Sequence, residues 1–118
     1  MAKITKNFSV SEMQCPCCGK CDMDDDFMKA LQDIRTRCGF GFKVNSAYRC
    51  KIYNNRVSSN SRGQHISGHA VDVYVKDRYK RFNVLKEAVN NGYFKDIAIA
   101  KGFIHLGKGN TKNGIGVY

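Results

Sequence analysis

Val71-Asp72-Val73-Tyr74-Val75 alternates in the period-two pattern of a β-strand. The run sets an aspartate among valines, and a carboxylate taken out of water is costly unless it is paired or bound to a cation. A fold that buries this strand must therefore bring Asp72 a partner from elsewhere in the chain.

The flanking patterns predict what surrounds that strand. Phe42, Val44 and Ser46 alternate with polar neighbours, and two further short strands are expected around Ile97 to Ala100 and Phe103 to Leu106. Asp24, Asp25 and Asp26 supply cap and first-turn acids for a helix in which Phe27, Leu31 and Ile34 recur at helical spacing and which Gly39 ends. The acidic triplet therefore reads as a helix start before it reads as a metal site. In a second helix Phe82, Leu85 and Val89 line one face before Gly92 stops it. The stretches from Val57 to Gly63 and from Gly107 to Gly116, rich in Ser, Asn and Gly, read as loops. This order of helix, strand, helix and strands predicts an α+β fold, an antiparallel sheet with helices packed on one side. A chain of 118 residues has room for one such domain, spanning 1–118, and so for one modest core.

Composition excludes several classes. No apolar run approaches the roughly 18 residues that span a membrane, and the lysines at Lys3 and Lys6 precede no apolar stretch of a signal peptide. No membrane insertion is expected, and the cytoplasm of the producing cell is the expected place of synthesis. The formal net charge of +10 attracts polyanions, either nucleic acid or an anionic cell wall. No nucleic-acid-binding pattern accompanies it, so no nucleic-acid partner is expected. Cys15, Cys17, Cys18 and Cys21 cluster, while Cys38 and Cys50 form no second closely spaced pair. A structural metal or disulfide, buried thiols and a catalytic thiol all remain open for them.

The segment Gln64-His65-Ile66-Ser67-Gly68-His69-Ala70-Val71-Asp72-Val73 holds two of the three histidines beside the strand aspartate. A catalytic zinc takes three N or O ligands and keeps one position open. His65 and Asp72 then need a third partner, and His105 in Gly102-Phe103-Ile104-His105-Leu106 is the candidate. The competing reading makes His65 and His69 loop residues satisfied by hydrogen bonds.

The pattern His65-x-x-Gly68-x-Ala70-x-Asp72, preceded by Ser46-Ala47-Tyr48-Arg49 and Asn54-x-x-Val57 and followed by Phe103-Ile104-His105, resembles the zinc D-Ala-D-Ala carboxypeptidases and related peptidoglycan endopeptidases. Their fold is shared with hedgehog signalling domains. The resemblance runs from about Phe8 to Leu106 and implies Zn2+ held by His65, Asp72 and His105, with Arg49 contacting the substrate or a developing oxyanion. It implies peptidoglycan peptides as substrates and a small phage-type member acting on the cell wall after release or as a virion component, and a monomer is expected. His69 is a weaker candidate, as a proton carrier or substrate contact. The chain departs from the family at Gly63 and at Ser58-Ser59. It also has Gly102 where a water-activating carboxylate often precedes the third histidine, and Gly107 where close relatives often have an aspartate. Glu12, Asp96 and Asp24 to Asp26 are the other acids available as a general base. A wall-binding or phage structural module that keeps its zinc without catalysis is the alternative.

Overall fold

A computed structural model of the chain describes residues 3–57, 64–110 and 112–118. Their order is β1 (Lys3–Thr5), β2 (Phe8–Ser9), α1 (Val10–Met13), α2 (Asp25–Cys38), β3 (Lys43–Ser46), α3 (Lys51–Val57), β4 (Ala70–Tyr74), α4 (Arg78–Asn91), β5 (Asp96–Ile99), β6 (Phe103–Gly107) and β7 (Gly114–Val117). The fold is α+β, as the patterns predict. The reading of Val57 to Gly63 as a loop falls on positions 58–63, outside the described residues. Among the described residues no helix is long and apolar enough to cross a membrane.

Both long helices begin and end on residues suited to the task. The Asp24 carboxylate accepts the Phe27 N–H, and Gly39 closes α2 in the left-handed conformation. Asp77 accepts from Lys80 N–H at the start of α4, and Gly92 closes it.

The main sheet has the order β3-β4-β6-β5-β7. Its neighbours are antiparallel except at one edge, where β7 runs parallel to β5. This edge strand lies in a stretch expected to be loop. Its Gly-Ile-Gly-Val sequence carries little strand signal, and its ladder rests on backbone hydrogen bonds, with Ile115 and Val117 exposed.

Strand alternation divides the sheet into two faces. Val71 and Val73 of β4, Ile97 of β5, and Ile104 and Leu106 of β6 join Phe27, Leu31 and Ile34 of α2 and Val84 and Ala88 of α4 in one core. The second helix keeps the expected period but not the expected phase. Leu85 packs against the core as expected, but Phe82 and Val89 are 67% and 55% exposed while Val84 and Ala88 are fully buried, because α4 packs on α2 and the core through its smaller residues. Arg81 reaches from α4 to the Ala100 and Phe103 carbonyls and so ties that helix to the β5–β6 turn. The opposite face of the sheet carries Asp72 and His105.

Candidate metal centre

The sheet register assembles most of the site. Asp72 pairs across the ladder with His105 on one side and Ser46 on the other, and His105 pairs with Ala98. The β3–β4 register shifts between Val44 and Ser46, so the bulge places Ser46 opposite Asp72. Two residues far apart in sequence thereby become neighbours on one face, away from α2 and α4.

His65 comes from the turn before β4, and the backbone anchors that turn firmly. Arg49 N–H donates to the His65 carbonyl at 3.2 Å, His69 N–H to the Gln64 carbonyl at 2.8 Å, and Asp24 N–H to the Gly68 carbonyl at 3.1 Å. Gly68 has φ +77°, and a Cβ there would fall 2.1 Å from the Asp22 carbonyl oxygen. Only glycine lets the turn lie this close to the segment leading into α2.

The three side chains meet in a buried cluster. His65, Asp72 and His105 are 8%, 6% and 5% exposed, and one ligand atom from each lies within 4.8 Å of the other two. Asp72 Oδ1 stands 2.8 Å from His105 Nδ1, and Oδ2 stands 3.6 Å from His65 Nε2. His65 Nδ1 contacts the Ala47 carbonyl at 2.6 Å. A carbonyl only accepts, so Nδ1 carries the proton and Nε2 of the neutral ring presents its lone pair to the cluster.

Asp72 also faces Arg49, whose Nη2 donates to Oδ2 at 3.3 Å. Arg49 Nε donates to Ser46 Oγ at 2.8 Å and Nη1 to Asn54 Oδ1 at 3.2 Å, which fixes the plane of the guanidinium. A guanidinium has more N–H groups than these bonds use, so donors remain for a substrate oxygen. Burial pushes the Asp72 carboxyl up, but hydrogen bonds and charge from His105 and His65 outweigh it and hold the group below the usual carboxylate range. The aspartate is thus an anion ringed by nitrogen.

Gln64 and Tyr118 join the site without any strong signal in sequence, as does Asp96, which the sequence offered only as one of several acids, while Asn54 belongs to the Asn54-x-x-Val57 element of the family pattern. Asp96 Oδ2 lies 3.9 Å from His105 Nε2 and accepts from Gln64 Nε2 at 2.7 Å. Asp96 pairs in register with Gly107, the position where relatives often carry an acid. A Cβ at Gly107 would lie 2.1 Å from Gln64 Oε1 and 3.1 Å from His105 Nε2, so the glycine clears the path by which Gln64 reaches Asp96. The Tyr118 ring packs edge-on to His105 with centroids 6.0 Å apart. Burial and the Asp72 and Asp96 carboxylates raise its phenol, which stays protonated. A cleft of about 670 Å³ opens beside Gln64 and Asp96 and is lined by Lys95 and Lys112.

His69 is placed elsewhere. Its Nδ1 lies 2.8 Å from Ser67 Oγ and its Nε2 lies 3.5 Å from Asp24 Oδ1, at the start of α2. The acidic triplet Asp24 to Asp26 is a helix start, as its sequence suggests.

Two imidazoles and one carboxylate with converging ligand atoms suit a zinc ion. The second nitrogen of His65, bonded to the Ala47 carbonyl, makes the outer contact such a ligand requires. The chain matches the family model described as Peptidase M15 over residues 6–107, a span that takes in all three of these side chains together with Arg49 and Asp96. No curated protein matches it.

Proposed function

The chain belongs to the Peptidase M15 family and is a metallopeptidase, and on that premise we propose that it hydrolyses peptide bonds in the stem peptides of bacterial peptidoglycan, by carboxypeptidase or endopeptidase action. The observation that carries the reading is the buried Asp72 carboxylate held between His65 and His105 with Arg49 against its outer oxygen. Three nitrogen-bearing side chains surround this one buried carboxylate, and two of them are imidazoles able to share a cation with it. In this reading His65, Asp72 and His105 hold the zinc. Zinc, when bound, supplies Lewis acidity to the scissile carbonyl and lowers the pKa of water.

The chain's own residues do the rest. Arg49, locked by Ser46 and Asn54, steadies a substrate carboxylate or the developing oxyanion. Asp96 accepts the proton of the attacking water and returns it to the leaving amine, with Gln64 fixing the orientation of its carboxylate. Lys95 and Lys112 give the adjoining cleft positive charge suited to the acidic groups of a stem peptide. His69 positions the turn that carries His65. The protein acts as a monomer on wall material after release from the producing cell or as part of a virion.

The test is incubation of the zinc-loaded protein with purified muropeptides, with products read by mass spectrometry. The expected result is a shortened or cleaved stem peptide, and His65→Ala abolishes both cleavage and zinc at this site. Zinc retained by the wild type without cleavage of any muropeptide would instead identify a wall-binding module.

A further inference from the structure

All six cysteines are outside disulfides, and four of them converge. The sulfurs of Cys15, Cys18 and Cys50 lie within 4.8 Å of one another, and the Cys17 thiol shares a side-chain hydrogen bond with Cys50. Cys21 and Cys38 pack instead against the hydrophobic core.

Residues 15–19 read Cys-Pro-Cys-Cys-Gly, and the backbone there folds into a tight loop. Gly19 N–H donates to the Cys15 carbonyl at 2.8 Å and Cys15 N–H to the Lys20 carbonyl at 2.7 Å. The loop turns its amides onto the sulfurs. Cys15 Sγ accepts from Cys50 N–H at 3.4 Å and from the N–H groups of Cys17 and Cys18. Cys18 Sγ accepts from Lys20 N–H, and Cys50 Sγ accepts from Tyr53 N–H at 3.4 Å.

Amide donors aimed at sulfur favour the thiolate. Burial opposes ionisation of Cys15, yet the amides of Cys50, Cys18 and Cys17 outweigh it and bring the thiol down to about 7. The neighbours resist the next ionisation: the hydrogen bond with Cys50 raises Cys17. For Cys18 the Lys20 amide is outweighed by burial and by the contact with Cys15. The geometry gathers sulfurs that a bound divalent metal would deprotonate outright.

We infer that Cys15, Cys18 and Cys50, with Cys17 as fourth ligand, form a second zinc site that is structural and separate from the His65, Asp72 and His105 cluster. Cys15 and Cys18, spaced as Cys-x-x-Cys on a tight loop with Cys17 between them and joined by Cys50 from the fold, form the donor set of a closed all-thiolate zinc site, with no position left for substrate. The site pins the loop after α1 to the turn after β3, where Tyr48 N–H also donates to the Met13 carbonyl at 3.1 Å. That turn carries Arg49, so the second metal holds the backbone from which the guanidinium reaches Asp72.

The inference stands whatever the substrate is, and metal counting separates the two sites. Elemental analysis of the full chain, purified under reducing conditions, is expected to find two zinc ions, of which His65→Ala loses one and Cys15→Ser/Cys18→Ser the other. Because the double variant can fail to fold, alkylation of native cysteines is followed by mass spectrometry in the His65→Ala protein. There a chelator is expected to accelerate reaction of Cys15, Cys17, Cys18 and Cys50 by about ten-fold or more, and a cobalt-substituted sample is expected to show thiolate charge-transfer absorption. One zinc per chain that disappears with His65, a disulfide among these four cysteines, or alkylation rates indifferent to chelator would overturn the second site.

Discussion

The carboxylate of Asp96 reaches the candidate centre from across the sheet, and its position depends on the side chain that Gly107 lacks. Replacing Asp96 by Asn removes the proton acceptor while nearly preserving size. The expected outcome is a fall in kcat of about 10²- to 10⁴-fold with zinc content unchanged, measured by steady-state muropeptide cleavage beside elemental analysis. An unchanged rate would exclude Asp96 as the base. Gly68 acts at the same scale by different physics. A methyl group there meets the Asp22 backbone at a positive φ, and neither chain segment can yield cheaply. Gly68→Ala is therefore expected to cost on the order of 2 kcal/mol or more, read as a lower denaturation midpoint, and to weaken zinc binding by displacing His65.

Among the elements, α2 links the core to the metal-bearing turn through its first residues. The Asp24 carboxylate accepts from Phe27 N–H at 3.0 Å and from the Tyr93 hydroxyl at 3.3 Å, and it faces His69. Asp24→Ala is expected to cost about 1 kcal/mol, the usual worth of a helix cap, in urea unfolding. The Phe27 amide, foremost, and then the charge of His69 hold the Asp24 carboxyl below its ordinary value. A carboxylate whose pKa is lower folded than unfolded contributes stability that is complete above the unfolded value, about 4. That contribution fades as pH falls through the folded value. The wild type should therefore lose stability more steeply than Asp24→Ala below about pH 4, and parallel curves would show that the cap does not titrate with folding.

For the whole molecule, the two candidate metal clusters draw on segments that the helices do not tie together. The first cluster joins β4, β6 and the turn before β4, and one ion bound only to the folded state stabilises all of them at once. At free zinc one hundred times Kd the gain is about 2.7 kcal/mol. Thermal unfolding of His65→Ala should be less sensitive to added zinc than that of the wild type, and equal shifts would mean that zinc acts elsewhere in the chain.

Much of this was legible from the chain alone because it is local. Alternation around Asp72, the aspartate cap and terminal glycine of α2, and the spacing His65-x-x-Gly68-x-Ala70-x-Asp72 each depend on residues within a few positions of one another. They were sufficient to predict an α+β fold and to single out His65 and Asp72, whereas His105, far away in the chain, was added as the remaining candidate ligand and by the resemblance to zinc peptidases. The face that α4 buries, the strand β7, the placement of His69 beside Asp24, the approach of Asp96 to His105 and the gathering of Cys50 with the Cys15 loop were decided only by the tertiary structure. Each of these depends on register or on packing between segments distant in the chain. A period fixes which residues share a face, but only the assembled sheet and helices determine what that face meets.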